Sequence, residues 1–285
     1  MRFWTGKCEL ERICDRHAFT PLPSSSSAPL SAAAASTGGG TLARDLYLAL
    51  RRSRQCAADL SRILSRANHS TVASLPSSAN SAAEATPDAP LVDADADLVA
   101  LRIIARKRLS GRALPETALR QRLVFGVAQL VHFQRLRMSL VDTTLRRRAF
   151  DEANADDEAL LEALWTLLRP DVRRRGGRIT DEWQELGFQG NNPATDFRGM
   201  GVLGLECLVH FARAHPSAAR RVCNESLVPH NKWFSFAITH INLAYDVVHW
   251  CEREPELVTA VFMLNGPTIA TFHEFVGAFR LSGCI

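Results

Sequence analysis

No stretch of this 285-residue chain approaches about eighteen uninterrupted apolar residues, so no membrane-spanning helix is expected. Cysteine occurs seven times, at 8, 14, 56, 207, 223, 251 and 284, and never as C-x-x-C. An odd, scattered set makes a poor disulfide framework and a poor zinc ribbon; it suits a reducing compartment. The phosphate loop G-x-x-x-x-G-K-[ST], the nucleophile elbow G-x-S-x-G and the zincin helix H-E-x-x-H are all missing, and no G-x-G-x-x-G follows a strand. Charge of one sign is lacking too. The 34 Lys and Arg against 30 Asp and Glu leave +4, spread along the chain, which implies no nucleic-acid partner. The start, MRFWTGKCELERIC, places charge where the apolar core of an export signal would lie, so a cleaved signal is not expected. Glu9, Glu11 and Asp15 argue equally against an organelle presequence.

Apolar residues make up 46% of the chain, enough for a core, but they are unevenly placed. Residues 1–19 form a short mixed segment. Residues 20–40, TPLPSSSSAPLSAAAASTGGG, hold nothing large to bury. Such a stretch cannot recover its ordering entropy and reads as a flexible linker. Over 41–67, Leu42, Leu46, Leu50, Leu60, Ile63 and Leu64 recur at roughly helical spacing among arginines, which predicts one amphipathic, Arg-rich helix. Residues 68–90 return to Ser, Ala, Asn and Pro, a second linker. The dense segment, 91–285, is the globular domain. There is no alternation of period two over strand lengths and no internal repeat. The expected fold is all-α: a single multi-helix domain behind a largely flexible N-terminal extension.

Within that domain, Leu160, Leu161, Leu164, Leu167 and Leu168 form a stripe stopped by Pro170. Residues 200–214 are apolar on most sides and end before Pro216. The run 233–250 carries Ala237, Ile241, Ala244 and Val248 on one face, with Phe234, Ile238 and Val247 beside it, and reads as a central, mostly buried helix. Two more helices follow over 255–264 and 268–280. Stripe geometry assigns Leu161, Leu164, Trp165, Leu205, Leu208, Phe211, Ile238, Ile241, Ala244 and Phe272 to the core.

Few residues offer chemistry of their own. Cys207 and His210 lie three apart on one helix and could share a metal, but a buried Cys beside a satisfied His is the commoner arrangement, so no metal is assigned. The run Arg173, Arg174, Arg175, Gly176, Gly177, Arg178 reads as a solvated loop or as a contact for a phosphate or acidic surface. The informative segment runs from Trp183 to Phe211, WQELGFQGNNPATDFRGMGVLGLECLVHF. Its glycines at 187, 190, 199, 201 and 204 would each cost a helix interior about 1 kcal/mol relative to Ala. Asn191-Asn192-Pro193 signals a turn, and Thr195 or Asp196 is a natural N-cap for the helix beyond. Arg198 then falls in a first helical turn, where the dipole disfavours a cation. Either a partner compensates it, or it pairs with Asp196 or Glu206.

This segment resembles the ELMO domain. The matching residues are Trp183, Gly187, Phe188, Gln189, Pro193, Thr195, Asp196, Phe197, Arg198, Gly199 and Gly201, followed by Leu205, Leu208 and Phe211. The flanks LRRRAFD at 145–151, LLEALWTLLRP at 160–170 and FAITHINLAYD at 236–246 agree, and TGKCELERIC at 5–14 is similar to the start of the ELMO-domain-containing subfamily. The resemblance implies an all-helical GTPase-activating domain for Arf-family and Arf-like small GTPases, with Arg198 as arginine finger and the other motif residues positioning its loop. It implies no cofactor of the chain's own, since the GTPase carries GTP and Mg2+. A monomer is expected, cytoplasmic, with peripheral contact at endomembranes or the cilium base left open. The competing reading is a non-catalytic adaptor like the larger engulfment-and-motility proteins. Those typically lack the finger arginine and need armadillo-like and pleckstrin-homology regions that this length cannot hold.

Overall fold

The computed structural model describes residues 2–3, 7–17, 39–52, 101, 105, 116–228, 234–253 and 255–281. Residues 20–38 of the first linker, 53–67 of the Arg-rich helix and the whole 68–90 linker lie outside the described residues. The fold is all-α. Among the described residues the only strands are β1, Arg2–Phe3, and β2, Lys7–Cys8, paired antiparallel with Arg2 opposite Cys8. No described helix is long and apolar enough to cross a membrane. The chain divides into two compact units, Met1–Leu136 with Glu256–Thr271, and Arg137–Pro255 with Phe272–Ile285.

In the first unit, α1 (Glu9–Arg16) lays Leu10, Ile13 and Cys14 against α2 (Gly39–Arg52), which buries Leu42, Ala43, Leu46 and Tyr47. Of the leucines expected to line the Arg-rich helix, Leu42 and Leu46 are buried, and the helix begins at residue 39, inside the segment read as linker. α3 (Glu116–Val141) buries Leu119, Leu123, Val127 and Phe133. At Gly126 an added Cβ would stand 2.6 Å from Leu46 Cδ1, so α2 and α3 meet closely because this position has no side chain. Phe133 packs on Phe262 of α8 (Pro255–Asn265), ring centres 5.2 Å apart.

The second unit is built around α5. α4 (Ala155–Leu168) starts at Asn154, whose side chain accepts from the Asp156 amide at 2.9 Å, and carries Asp156, Asp157 and Glu158 in the turn where the dipole favours them. It ends just before Pro170 and buries Leu161, Leu164, Trp165 and Leu168. α5 (Gly201–Ala214) is buried on nearly all sides and touches α4, α6 (Pro216–Ser226) and α7 (Phe236–Arg253). Pro216 ends α5 and opens α6, since proline suits a first helical turn and cannot continue an interior one. α9 (Ile269–Leu281) contributes Phe272 and Val276 to buried positions.

Two expectations about burial are corrected. α7 is not the central helix: it buries one face, through Phe236, Ala237, His240, Ile241 and Ala244, while Asn242, Tyr245, Asp246 and Trp250 are exposed. α5 holds the centre. Ile238 is half-buried, outside the core to which it was assigned; the other nine assigned residues are buried. The stripe geometry is right for α7, but Ile238 sits on its margin.

Candidate functional site

The motif segment forms two short 3-10 helices, Asp181–Leu186 and Pro193–Arg198, joined by a turn and followed by α5. Three of its residues are apolar anchors. Trp183, Phe188 and Phe197 are buried, and their rings continue a chain of edge contacts that begins at Trp165. Ring centres lie 5.7 Å apart for Trp165–Trp183, 6.0 Å for Trp183–Phe188 and 5.7 Å for Phe188–Phe197. Phe150 closes the chain, stacked on Phe197 at 5.6 Å. Such pairs add about 0.5–1.5 kcal/mol each beyond the area they bury, so this irregular backbone has a rigid floor. Trp183 Nε1 also donates to the Arg178 carbonyl at 2.7 Å.

Two glycines are required by geometry. Gly187 ends the first 3-10 helix at φ 80°, and a Cβ there would stand 2.4 Å from the Phe236 nitrogen. Gly201 has φ 57°, and a Cβ would stand 2.1 Å from the Arg148 oxygen. The reason for this crowding is the N-terminus of α5. No side chain caps it; instead the Val202 and Leu203 amides donate to the carbonyls of Arg148 (2.9 Å) and Arg146 (3.1 Å). The 146–148 strand of loop is thus the cap of α5.

That loop is held in turn by an ion pair inside the fold. Arg148 makes two hydrogen bonds to Asp157, at 2.7 and 2.5 Å, and the Asp151 amide adds a third at 2.9 Å. Asp157 is 0% exposed. The Asp157 hydrogen bonds raise the Arg148 pKa, outweighing its partial burial. Asp157 lies on the same α4 stripe as Leu161, Leu164 and Leu168. A carboxylate on an apolar stripe demands a partner, and this was the sequence signal for a pairing the sequence analysis missed. Arg147 reaches the Gly199 carbonyl at 3.1 Å, and Arg146 stands 3.8 Å from Glu206.

Neither Thr195 nor Asp196 caps α5, whose cap position is Met200, without a side-chain hydrogen bond; both lie inside the second 3-10 helix. That helix is capped by Asn192, whose Oδ1 accepts from the Ala194 amide at 3.1 Å and from Arg178 Nη1 at 3.0 Å. Pro193 takes the first position and is buried. Thr195 Oγ1 donates to the Asn192 carbonyl at 2.8 Å. Asp196 accepts the Gln189 amide at 2.9 Å, tying the two halves of the motif together. Burial pushes the Asp196 carboxyl above its ordinary value, against the opposing pull of that amide and of the Arg198 charge. The Gln189 side chain itself is exposed.

Arg198 therefore occupies the last position of the second 3-10 helix rather than a first helical turn. A cation at a C-terminal end is favoured by the dipole, so the expected electrostatic penalty does not arise there. Neither expected pairing forms: Asp196 is engaged by Gln189, Glu206 by Arg146, and no described carboxylate stands within ion-pair distance of Arg198. Its side chain is exposed. Nε donates to the Thr195 carbonyl at 2.7 Å, while the two Nη groups make no hydrogen bond to the described residues. The result is a guanidinium held at one nitrogen, on an anchored turn, with its two terminal donors unengaged among the described residues.

The other candidates are satisfied within the fold. His210 Nε2 lies 2.8 Å from Glu274, and burial pushes the Cys207 thiol well above its ordinary value. Of the basic run, Arg174 stacks over the Trp183 ring at 4.5 Å and pairs with Glu162 at 2.5 Å, and Arg178 pairs with Glu152 at 2.6 Å. Arg173 and Arg175 are exposed. The described residues contain no group of three or more His, Cys, Asp or Glu able to hold a metal.

Comparison with known proteins points the same way as the motif. Residues 143–279 match the ELMO/CED-12 family. The chain is 36% identical over 178 residues to ELMO domain-containing protein B of Dictyostelium discoideum, covering 62% of this chain and 60% of that one. It is 39% identical over 132 residues to ELMO domain-containing protein 2 of Mus musculus, covering 46% and 44%. Against ELMO domain-containing protein 1 of Homo sapiens it is 47% identical over 85 residues, covering 30% and 25%. The match thus spans three fifths or less of these relatives' length. No solved structure matches the chain. Its anchored motif lies within the stretch, 143–279, over which this chain is similar to the ELMO/CED-12 family.

Proposed function

We propose that the chain is a GTPase-activating protein for an Arf-family or Arf-like small GTPase, supplying Arg198 in trans as an arginine finger. The observation that carries this reading is the state of Arg198: exposed, held at Nε by Thr195, and with no described carboxylate within ion-pair distance. The class of GTPase comes from the resemblance of the motif. Phosphoryl transfer spreads negative charge over the γ-phosphoryl oxygens and the leaving oxygen. A guanidinium brought from a partner stabilises that charge and accelerates the reaction by roughly 10³–10⁵, about 4–7 kcal/mol of barrier. The chain contributes the cation and the GTPase carries GTP and Mg2+.

The test is single-turnover GTP hydrolysis by a panel of Arf and Arf-like GTPases with and without this protein. Acceleration of at least one member is expected. Arg198→Ala should abolish it at an unchanged melting temperature, since the side chain makes one exposed hydrogen bond within its own domain. Arg198→Lys should rescue poorly, because a point charge lacks the planar fork that holds two oxygens at once. Binding without acceleration by the wild-type chain would move the assignment to the adaptor reading.

A further inference from the structure

The motif glycines fall into two classes. Gly187 and Gly201 have positive φ and no room for a Cβ, and at Gly204 a Cβ would stand 3.1 Å from Met200 Cβ and 3.5 Å from Ile241. Each is explained by the fold. Gly190 and Gly199 are not, since a Cβ at either would meet nothing within 4 Å, and of the two it is Gly199 that adjoins Arg198. It follows the second 3-10 helix, where glycine is usually selected for a left-handed conformation, yet its φ of −81° and ψ of −36° are right-handed and open to any residue. An added Cβ would meet nothing within 4 Å, and the residue is exposed. Its carbonyl is already held by Arg147 at 3.1 Å, so the backbone has its conformation without needing the glycine's freedom. Glycine here enlarges the entropy of the unfolded chain and returns nothing to the fold.

We infer that Gly199 is a clearance residue: its missing side chain lets the GTPase backbone close on the Arg198 turn, and so sets how deeply the guanidinium reaches. This rests on the GTPase-activating reading above. Arg198 is tethered at Nε, so extending further to recover lost depth would break that hydrogen bond. A methyl group at the adjoining position would hold the two surfaces apart. Misplacement of a catalytic group by about 1 Å can cost about 100-fold in rate, whereas the rest of the contact surface still docks.

The experiment measures the maximal hydrolysis rate and the half-saturating activator concentration for Gly199→Ala, Gly199→Val and a control, Gly177→Ala. Gly177 is exposed and equally open, with nothing within 4 Å of its Cβ position, but lies outside the motif. Gly199→Ala should keep or raise the melting temperature and lower the maximal rate about tenfold or more. The half-saturating concentration should move less than about threefold; Gly199→Val should fall further, and the control should match wild type. Wild-type activity in Gly199→Ala overturns the inference and leaves the function standing. So does a loss that tracks a lowered melting temperature, or one confined to the half-saturating concentration. If the wild-type chain accelerates no GTPase, the underlying reading fails, and that is seen before any variant is made.

Discussion

A side chain at position 201 would have to share space with the Arg148 carbonyl, 2.1 Å from where its Cβ would lie, and adopt φ 57°. Gly201→Ala is therefore expected to lose at least about 1–3 kcal/mol from the left-handed conformation alone, with more from the overlap. Chemical denaturation checks it: the midpoint should fall, and the α5 amides that rest on Arg146 and Arg148 should lose exchange protection. The contrast with Gly199, two residues away, shows how little the residue type says without its surroundings. Both are glycines in one motif, one packed against backbone and the other open to solvent. Arg198 teaches the same lesson. Its identity is legible in the sequence, but its electrostatic setting is not, because nothing in the pattern marks the six residues Pro193–Arg198 as a helix that ends at the arginine.

At the scale of elements, the site is a short irregular segment held by aromatic rings between Trp165 of α4 and the loop residue Phe150. Trp183 does most of the clamping. It is fully buried, meets Trp165 and Phe188 edge-on, donates to the Arg178 carbonyl and carries Arg174 over its face. Trp183→Ala is expected to cost about 3–5 kcal/mol. In the GTPase assay it should also lower the maximal rate at temperatures where the domain is still folded, since the turn bearing Arg198 loses its floor. A variant with unchanged melting temperature and unchanged activity would remove the anchoring role. The helices themselves were legible from periodicity: α4 with its Asn154 cap and Pro170 stop, and α5 with apolar residues all round, follow the sequence closely. The 3-10 helices were not, because six residues, about two turns, leave too short a pattern for periodicity to register.

For the second unit as a whole, α9 brings two titratable groups that act in the same direction. Burial lowers the His273 pKa to about 3 from an ordinary 6.5, helped by the nearby His210 and Arg146 charges. Above pH 6.5 both folded and unfolded chains hold a neutral imidazole. As pH falls below 6.5, the unfolded chain takes up a proton that the folded one refuses until about 3, so stability falls with pH, by at most roughly 1.4 kcal/mol per unit. Burial of Glu274 raises its pKa, but the hydrogen bonds from His210 and His215 outweigh this and leave it below the ordinary 4.5. Its contribution is therefore present above 4.5 and lost as pH drops through the lowered value. Melting temperature against pH should decline from about 6.5 downward. His273→Phe should flatten the upper part of that decline while leaving the part below 4.5; an unaltered slope would place the titration elsewhere.

The sequence by itself determined the all-α class, the chain positions of the main helices, the burial of the large residues on their stripes, and the motif that carries the likeness to the ELMO/CED-12 family. These follow from local rules: a period of 3.6, caps, proline stops, and the hydrophobic gain from burying leucine and aromatic faces. Only the tertiary structure decided which helix is central, what caps α5 and why Gly201 must be glycine. It alone revealed that Arg148 pairs with Asp157 and that no described carboxylate stands within ion-pair distance of Arg198. Each of those depends on groups far apart in the chain, such as the Arg148 carbonyl and the Val202 amide. A linear pattern carries no record of which distant backbone atoms will meet once the apolar faces have packed.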